Sequence, residues 1–219
     1  MQGRVGGAHY LYRMTATISR DYVNHPPVDP AREDQRRFRI TLSRYHEWIA
    51  SGALTENDHV ELIFGQLIPT MPISDRHAET VDLLTEYFVP RFAATHVCRS
   101  QNPIQMPDHS EPEPDFALIS KQRYQRGKGH PRPDQTDLLV EVAQSTLSYD
   151  RNTKRTLYAL ESIPEYWIIN LQDDQVEVHT DCDASTGTYR KVITYSFKET
   201  IESPCCGKVE VTAILPPAN

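Results

Sequence analysis

Two acidic residues lie in apolar segments that have the composition of buried strands. Asp115 directly precedes the apolar run 116–119, and Glu141 lies inside the run 138–143. A glutamate in a strand covered on both faces is rarely buried unless it is paired, protonated or bound to a metal. Two carboxylates on adjacent strands are ligands that Mg²⁺ accepts. The pattern predicts a divalent-cation site, and a salt-bridged core Glu141 is the alternative.

A lysine beside such a site would orient or activate an attacking water and offset transition-state charge. In the PD-(D/E)xK phosphodiesterase pattern that lysine lies two residues after the acid, on the same face of the strand. Here Ala143 occupies that position. Lys154, in a predicted helix over 150–161, is the candidate replacement, and a helix-surface pair with Asp150 is the alternative.

Hydrophobic periodicity indicates the elements that position these residues. Helical spacing with a stop at Gly52 predicts a first helix over 42–49, and His77 heads the apolar stripe of a second helix over 76–95. Strands are predicted over 60–64, 66–69, 97–106, 115–119, 138–143, 165–171, 175–180 and 189–197, and the tail 204–219 is predicted to be irregular. Strands interleaved with a few helices indicate an α/β (α+β) domain.

The chain divides into a short leader and one domain. Residues 1–36 contain Gly and Pro pairs without a sustained apolar period, which predicts a flexible N-terminal leader. Residues 37–215 are predicted to form a single domain, followed by a tail over 216–219. No apolar run is long enough to span a membrane, and no secretory signal is visible, so we expect a cytoplasmic protein.

Several motifs occur in an order typical of one known family. They are VELIFGQLIPTMPISDRH (60–77), QNPIQM (101–106), EPEPDFAL (111–118), LLVEVAQSTLSYDRNTKRTLYA (138–159) and IPEYWIIN (163–170). With them, the run from about Phe38 to Leu171 resembles the Uma-type family of predicted restriction endonucleases, formerly a domain of unknown function. The resemblance implies a restriction-endonuclease-like core, with a central mixed β-sheet flanked by helices.

The resemblance also implies roles for individual residues. It makes Asp115 and Glu141 the ligands of Mg²⁺ (or Mn²⁺), and Lys154 the displaced catalytic lysine. Glu61 matches an acidic residue of the first strand that binds a second metal or holds water, and His77 and Gln101 match polar positions around the pocket. In-line attack on phosphorus would then leave a 3′-hydroxyl and a 5′-phosphate. For Glu61 and His77, purely structural roles are the alternatives.

The charge distribution restricts how such an enzyme would meet nucleic acid. The net charge of −7 over 219 residues excludes a bulk electrostatic DNA coat. A local basic loop occurs between the two acidic strands and contains Lys121, Arg123, Arg126, Lys128 and Arg132. Its ends are expected to lie at the site, where it and Arg151 would contact phosphates. The alternative is a solvated loop with no ligand.

Three functions are consistent with these residues. The preferred one is a Mg²⁺- or Mn²⁺-dependent endonuclease acting on nucleic acid, DNA above all, with a homodimer as one assembly. The second is a nuclease fold that binds nucleic acid without cleaving it, which Ala143 in place of lysine favours. The third is a hydrolase of another substrate that uses the paired carboxylates as acid and base.

Overall fold

A computed structural model describes residues 38–217 of the chain. The helices are α1 (Leu42–Ser51), α2 (Asp75–Phe92), α3 (Leu147–Tyr149) and α4 (Arg155–Leu160), with 3₁₀ turns at Glu56–Asp58, Pro133–Gln135 and Val211–Ala213. The strands are β1 (Val60–Ile63), β2 (Gln66–Pro69), β3 (His96–Ser100), β4 (Phe116–Ser120), β5 (Thr136–Ala143), β6 (Glu165–Asn170), β7 (Gln175–Asp183), β8 (Thr188–Ser196), β9 (Thr200–Ser203) and β10 (Gly207–Glu210).

Six of the strands form a central mixed sheet in the order β3-β4-β5-β6-β7-β8. Strands β5 and β6 run parallel, and every other neighbouring pair is antiparallel. A parallel pair requires a crossover connection, which α3 and α4 provide. Strands β1 and β2 form a separate hairpin, as do β9 and β10. The mixed sheet flanked by helices confirms the fold class predicted from the sequence.

The sheet is covered on both faces, which explains why its central strands are continuous apolar runs. One face packs under α2 and the segment 200–215, and Phe88 and Trp167 lie in its core. The other face packs under α3 and α4, where Leu157 and Tyr158 belong to its core. Glu141 lies in β5 between Leu139 and Ala143, so its side chain is on this second face.

The helical crossover contains a π-helical segment at Asp150–Lys154, between α3 and α4. The three pieces form one continuous helix over 147–160, which we call the crossover helix. Asp150 and Lys154 are both buried in the π segment, with exposed fractions of 4% each. Single π turns inside α-helices are frequent at functional sites. The crossover helix begins at Leu147, three residues before the start predicted from the sequence.

Two other sequence predictions differ from the structure. The strand predicted over 97–106 ends at Ser100, after which Gln101 has a positive φ of 50° that interrupts the strand. The tail predicted to be irregular contains β10, and the hairpin that it forms with β9 buries Ile201 and Val209 against the sheet. The leader predicted over 1–36 lies outside the described residues, and so does part of the predicted tail over 216–219.

None of the helices within residues 38–217 has the length and apolar character that spanning a membrane requires.

Close packing at the turn between β1 and β2 can be tested by substituting its glycine. Gly65 has φ of 76°, and a Cβ atom there would lie 2.7 Å from Arg39 Cβ; Gly52 has φ of 73° with no atom within 4 Å. Alanine costs about 1–2 kcal/mol in this conformation, and overpacking costs about 1–3 kcal/mol more. We therefore expect Gly65→Ala to lower the free energy of unfolding in urea at least twice as much as Gly52→Ala. Equal losses would contradict the close packing at Gly65.

Candidate active site

The two predicted metal ligands meet at one end of the sheet. In the antiparallel pairing of β4 and β5, Phe116 is opposite Val140, so one further step places Asp115 opposite Glu141. Asp115 also has the same parity as Ala117 and Ile119, whose side chains lie in the core under the crossover helix. Both carboxylates are therefore on one face, where β4 begins and β5 ends.

Asp115 is held through one of its two oxygens. Its Oδ2 atom accepts a hydrogen bond from the backbone N–H of Val142 at 2.7 Å and lies 3.2 Å from His77 Nε2. The side chains of Asp115 and His77 are each 14% exposed, so this contact is largely shielded from water. His77 lies in the first turn of α2, whose N-cap is Ser74. The structure thus brings His77 to the carboxylate pair.

Lys154 lies between two carboxylates. Its Nζ atom donates to Glu61 Oε2 at 2.8 Å and to Glu141 Oε1 at 3.2 Å, and all three side chains are buried. Glu61 Oε2 also accepts a hydrogen bond from the Glu113 backbone N–H at 3.1 Å. The surface pair between Lys154 and Asp150 is therefore wrong, because neither side chain is at the surface.

Two further residues of the crossover helix contribute to the site, and neither was predicted from the sequence. The hydroxyl of Tyr158 donates to Glu141 Oε1 at 2.5 Å. Asp150 Oδ2 accepts a hydrogen bond from the Thr146 hydroxyl at 2.6 Å. Asp150, Lys154 and Tyr158 are four residues apart in turn, which is the spacing of a single helix face. That spacing is the sequence signal from which their position beside Lys154 could have been predicted.

Acidic groups outnumber basic groups in this buried region. Burial raises the pKa of Glu141 to about 8, against the effect of Lys154, and the charges of Asp115 and Asp150 add to the rise. Burial likewise raises the pKa of Asp150 to about 7, although its hydrogen bond from Thr146 opposes the shift. Burial alone would lower the pKa of Lys154, but Glu141 and Glu61 outweigh it and raise that pKa well above its ordinary value. Lys154 therefore remains a cation at neutral pH.

One oxygen of Asp115 and one of Glu141 are suited to bind a hard cation. Within residues 38–217, no hydrogen bond reaches Asp115 Oδ1 or Glu141 Oε2, whereas the other oxygen of each carboxylate is engaged. The same described residues contain no group of three or more His, Cys, Asp or Glu side chains arranged to hold an ion. Two carboxylate oxygens completed by water and substrate phosphate are a common ligand set for Mg²⁺. The residues present therefore fit such an ion.

The basic loop does not lie where the sequence analysis expected it. It connects the end of β4 to the start of β5, whereas Asp115 and Glu141 lie at the opposite ends of these strands. Five residues of strand separate Asp115 from Ser120, or about 17 Å. The expected proximity is wrong because consecutive antiparallel strands are joined at one end of the sheet only.

Part of the loop's charge is engaged by neighbouring groups. Arg123 pairs with Asp137, which also lies 3.0 Å from His96 Nε2, and Lys121 donates to the backbone oxygen of Ala93. These side chains line a cavity of about 700 Å³ at this far end of the sheet. Arg126, Lys128 and Arg132 are exposed.

Arg151, the remaining predicted phosphate contact, lies on the crossover helix. Its guanidinium forms a two-pronged pair with Glu177 of β7, with Nε and Nη2 at 2.9 and 2.6 Å from Oε1. Glu177 is on the same face of the sheet as Glu141, because Ile168 of β6 pairs with both residues. The Arg151 side chain is still 43% exposed, so the guanidinium remains accessible to an anion.

Comparisons with known proteins identify the family and the fold of the chain. The model of the Uma2 family, described as "Putative restriction endonuclease", matches residues 42–213. The chain is similar to the crystal structure of "a putative nuclease belonging to DUF820 from Anabaena variabilis", with 15% identity, a TM-score of 0.58, and coverage of 80% of this chain and 97% of that chain. This likeness shows the fold alone. No curated protein matches the chain.

The raised carboxyl pKa values predict how stability depends on pH. Between about pH 4.5 and pH 8 the folded state keeps the proton of Glu141 that the unfolded state has lost, so stability falls as pH rises. In EDTA we expect the free energy of unfolding to fall by about 1.4 kcal/mol per pH unit for each retained proton. Urea titrations followed by tryptophan fluorescence measure this slope.

Two comparisons identify the source of that slope. Glu141→Gln cannot titrate and should remove the Glu141 contribution to the slope, leaving that of Asp150, whose pKa is raised to about 7, whereas Glu79→Gln, on an exposed part of α2, should leave the slope unchanged. Saturating Mg²⁺ should also flatten the slope, because it favours the ionised carboxylate. A free energy of unfolding that rises between pH 5 and pH 8 would contradict the buried-acid interpretation.

Proposed function

Because the chain belongs to the Uma2 family, we propose that it is a metal-dependent endonuclease that hydrolyses phosphodiester bonds of nucleic acid, DNA above all. The observation that carries the proposal is the placement of Asp115 beside Glu141, with Lys154 within hydrogen-bond distance of Glu141. Two acids and one cation on a single face of the sheet are the groups that metal-assisted hydrolysis requires.

The carboxylates would hold Mg²⁺ or Mn²⁺ through Asp115 Oδ1 and Glu141 Oε2, the oxygens that accept no hydrogen bond within residues 38–217. Such an ion would polarise the phosphodiester and lower the pKa of a bound water. His77 and the Val142 N–H hold the other oxygen of Asp115 and so fix the orientation of its carboxylate. Glu61 holds Lys154 through a second hydrogen bond, besides the one to Glu141.

Lys154 would assist the attacking water and offset charge on the transition state. Its charge is available for this role because its pKa is raised, so that it stays protonated at neutral pH. It reaches the same carboxylate that a lysine at position 143 would flank, but from the crossover helix rather than from β5. This supports Lys154 as the displaced lysine of the PD-(D/E)xK pattern.

The basic loop would contact the nucleic acid away from the cleaved bond. A separation of about 17 Å along the strands corresponds to about five base steps of duplex DNA, at about 3.4 Å each. Arg126, Lys128 and Arg132 are exposed loop cations that form no ion pair within the described residues. Arg151 would contact phosphates nearer to the carboxylates.

A silent nucleic-acid-binding module is the second candidate, and one observation favours it. Lys154 already pairs with Glu141, so its ammonium group supplies part of the positive charge that a metal ion would bring to this carboxylate. A hydrolase of another substrate that needs no metal is the third, and only its resistance to EDTA would distinguish it.

Cleavage of supercoiled plasmid tests the proposal directly. We expect nicking in Mg²⁺ or Mn²⁺, none in EDTA, and products that carry 5′-phosphates. Asp115→Asn, Glu141→Gln and Lys154→Gln should each lower the rate at least about 100-fold, because each removes a metal ligand or the cation. Asp82→Asn, an exposed acid of α2, is the matched control and should keep the full rate.

Each other result points to a different conclusion. Nicking by all variants alike would indicate a contaminating nuclease. Activity retained by Lys154→Gln alone would remove the lysine from the mechanism and leave the metal site in place. Cleavage that persists in EDTA would favour the metal-free hydrolase. DNA binding without cleavage in any ion would establish the silent module.

The salt dependence of DNA affinity tests the loop separately. The double variant Arg126→Ala/Lys128→Ala should reduce the slope of log K against log salt by about 1.8, since each phosphate contact contributes about 0.9. The double variant Lys191→Ala/Lys198→Ala removes the same charge at and just beyond the exposed strand β8 and should leave the slope nearly unchanged. Fluorescence anisotropy with a labelled duplex measures both, and equal slopes would exclude the loop as a phosphate contact.

A further inference from the structure

Tyr158 is a buried residue at the carboxylate pair for which the proposed reaction has no role so far. Its side chain has no exposed surface, and its hydroxyl donates to Glu141 Oε1 at 2.5 Å. It lies in α4, one helical turn after Lys154, and thus approaches Glu141 from the same helix. The hydroxyl lies on a carboxylate oxygen, so it acts on the site through Glu141.

Both donors to Glu141 share a single oxygen. Oε1 accepts from Tyr158 and from Lys154 at 3.2 Å, while Oε2 accepts no hydrogen bond from the described residues. Asp115 repeats the pattern, because its Oδ2 atom has both contacts and its Oδ1 atom has none within the same residues. Each carboxylate is thus fixed by one oxygen, and its second oxygen is left for another ligand.

Lys154 and Tyr158 constrain the Glu141 carboxylate in different ways. The ammonium group of a lysine is a point charge on a flexible stem, so it supplies charge and little direction. The ring of Tyr158 packs edge-on against Tyr166, with 4.9 Å between centroids, and both rings are fully buried. A hydroxyl on a ring held this way has one position. Tyr158 therefore determines the orientation of the Glu141 carboxylate.

We propose that Tyr158 is the positioning residue of the metal site: it holds Glu141 Oε1 so that Oε2 alone faces the cation. This inference rests on the proposed function, and Tyr158 itself touches neither substrate nor metal. Groups that orient a metal ligand through hydrogen bonds typically change metal affinity about 10–100-fold when removed. The effect is greater for Mg²⁺, which demands near-ideal octahedral geometry.

A pair of tyrosine variants separates this role from a merely structural one. Tyr158→Phe deletes the hydroxyl on Glu141, whereas Tyr166→Phe deletes an equally buried hydroxyl that donates to the backbone oxygen of Asp150. Both changes keep the ring pair and remove one buried hydrogen bond. Circular dichroism and thermal unfolding of the full chain establish that each variant is folded at the temperature of the assay.

The readout is Mn²⁺ binding, measured by electron paramagnetic resonance of the free ion with no nucleic acid present. We expect Tyr158→Phe to weaken binding about 10–100-fold, and Tyr166→Phe to change it less than about twofold. In plasmid cleavage, excess Mn²⁺ should restore the rate of Tyr158→Phe, because the lysine and both carboxylates are still present. Rescue by Mg²⁺ should require a higher concentration.

The outcomes distinguish this proposal from the proposed function. If the wild type binds Mn²⁺ and both variants bind it as tightly, the positioning role is wrong while the metal site stands. Equal weakening in both variants would indicate a general packing effect and would also overturn the role. If the wild type binds no Mn²⁺, the metal site itself fails, and the role of Tyr158 fails with it.

Discussion

The buried pairing of Lys154 with Glu61 and Glu141 is the contact on which the rest of the structure depends. It joins β1, β5 and the crossover helix, and Lys154 is 93 residues from Glu61 in sequence. Removing one partner of a buried ion pair typically costs about 3–5 kcal/mol, because the remaining charge is left in the interior. The same interaction that fixes the helix on the sheet therefore holds the acid and the cation at the distance that catalysis would need.

This arrangement is not the most stable one that the fold permits. Glu141 and Asp150 are buried with their pKa values raised to about 8 and about 7, and the charges of Glu141 and Glu61 raise the pKa of Lys154. Hydrophobic residues of similar volume would often be neutral or stabilising in such a position. Unfavourable buried charge of this kind concentrates at functional sites, where a ligand relieves it. A divalent ion would relieve it here, which is why the acid excess and the proposed metal belong together.

The sequence was sufficient for features that depend on local composition and insufficient for those that depend on strand direction. An acidic residue inside an apolar run identified Glu141, and the run 138–143 predicted all of β5 except its first two residues, Thr136 and Asp137. The basic loop was misplaced because it follows the C-terminal end of β4 whereas Asp115 precedes the strand, so closeness in sequence did not mean closeness in space. The π segment that buries Asp150 has no recognisable sequence signal. Tyr158 lies at helical spacing from Lys154 but was not predicted to belong to the site, and only the structure shows its hydroxyl on Glu141.

The position of the lysine shows what the chemistry requires. Residue 143 is on the same face as Glu141, but Ala143 is fully buried in the core that also contains Leu147 and Leu157 of the crossover helix. The ammonium group instead comes down from that helix and reaches Glu141 Oε1 at 3.2 Å. A transition state responds to the distance and direction of a charge and not to the strand that carries it. A fixed spacing between acid and lysine is therefore one solution among several, and under the proposed mechanism the crossover helix of this fold would provide another.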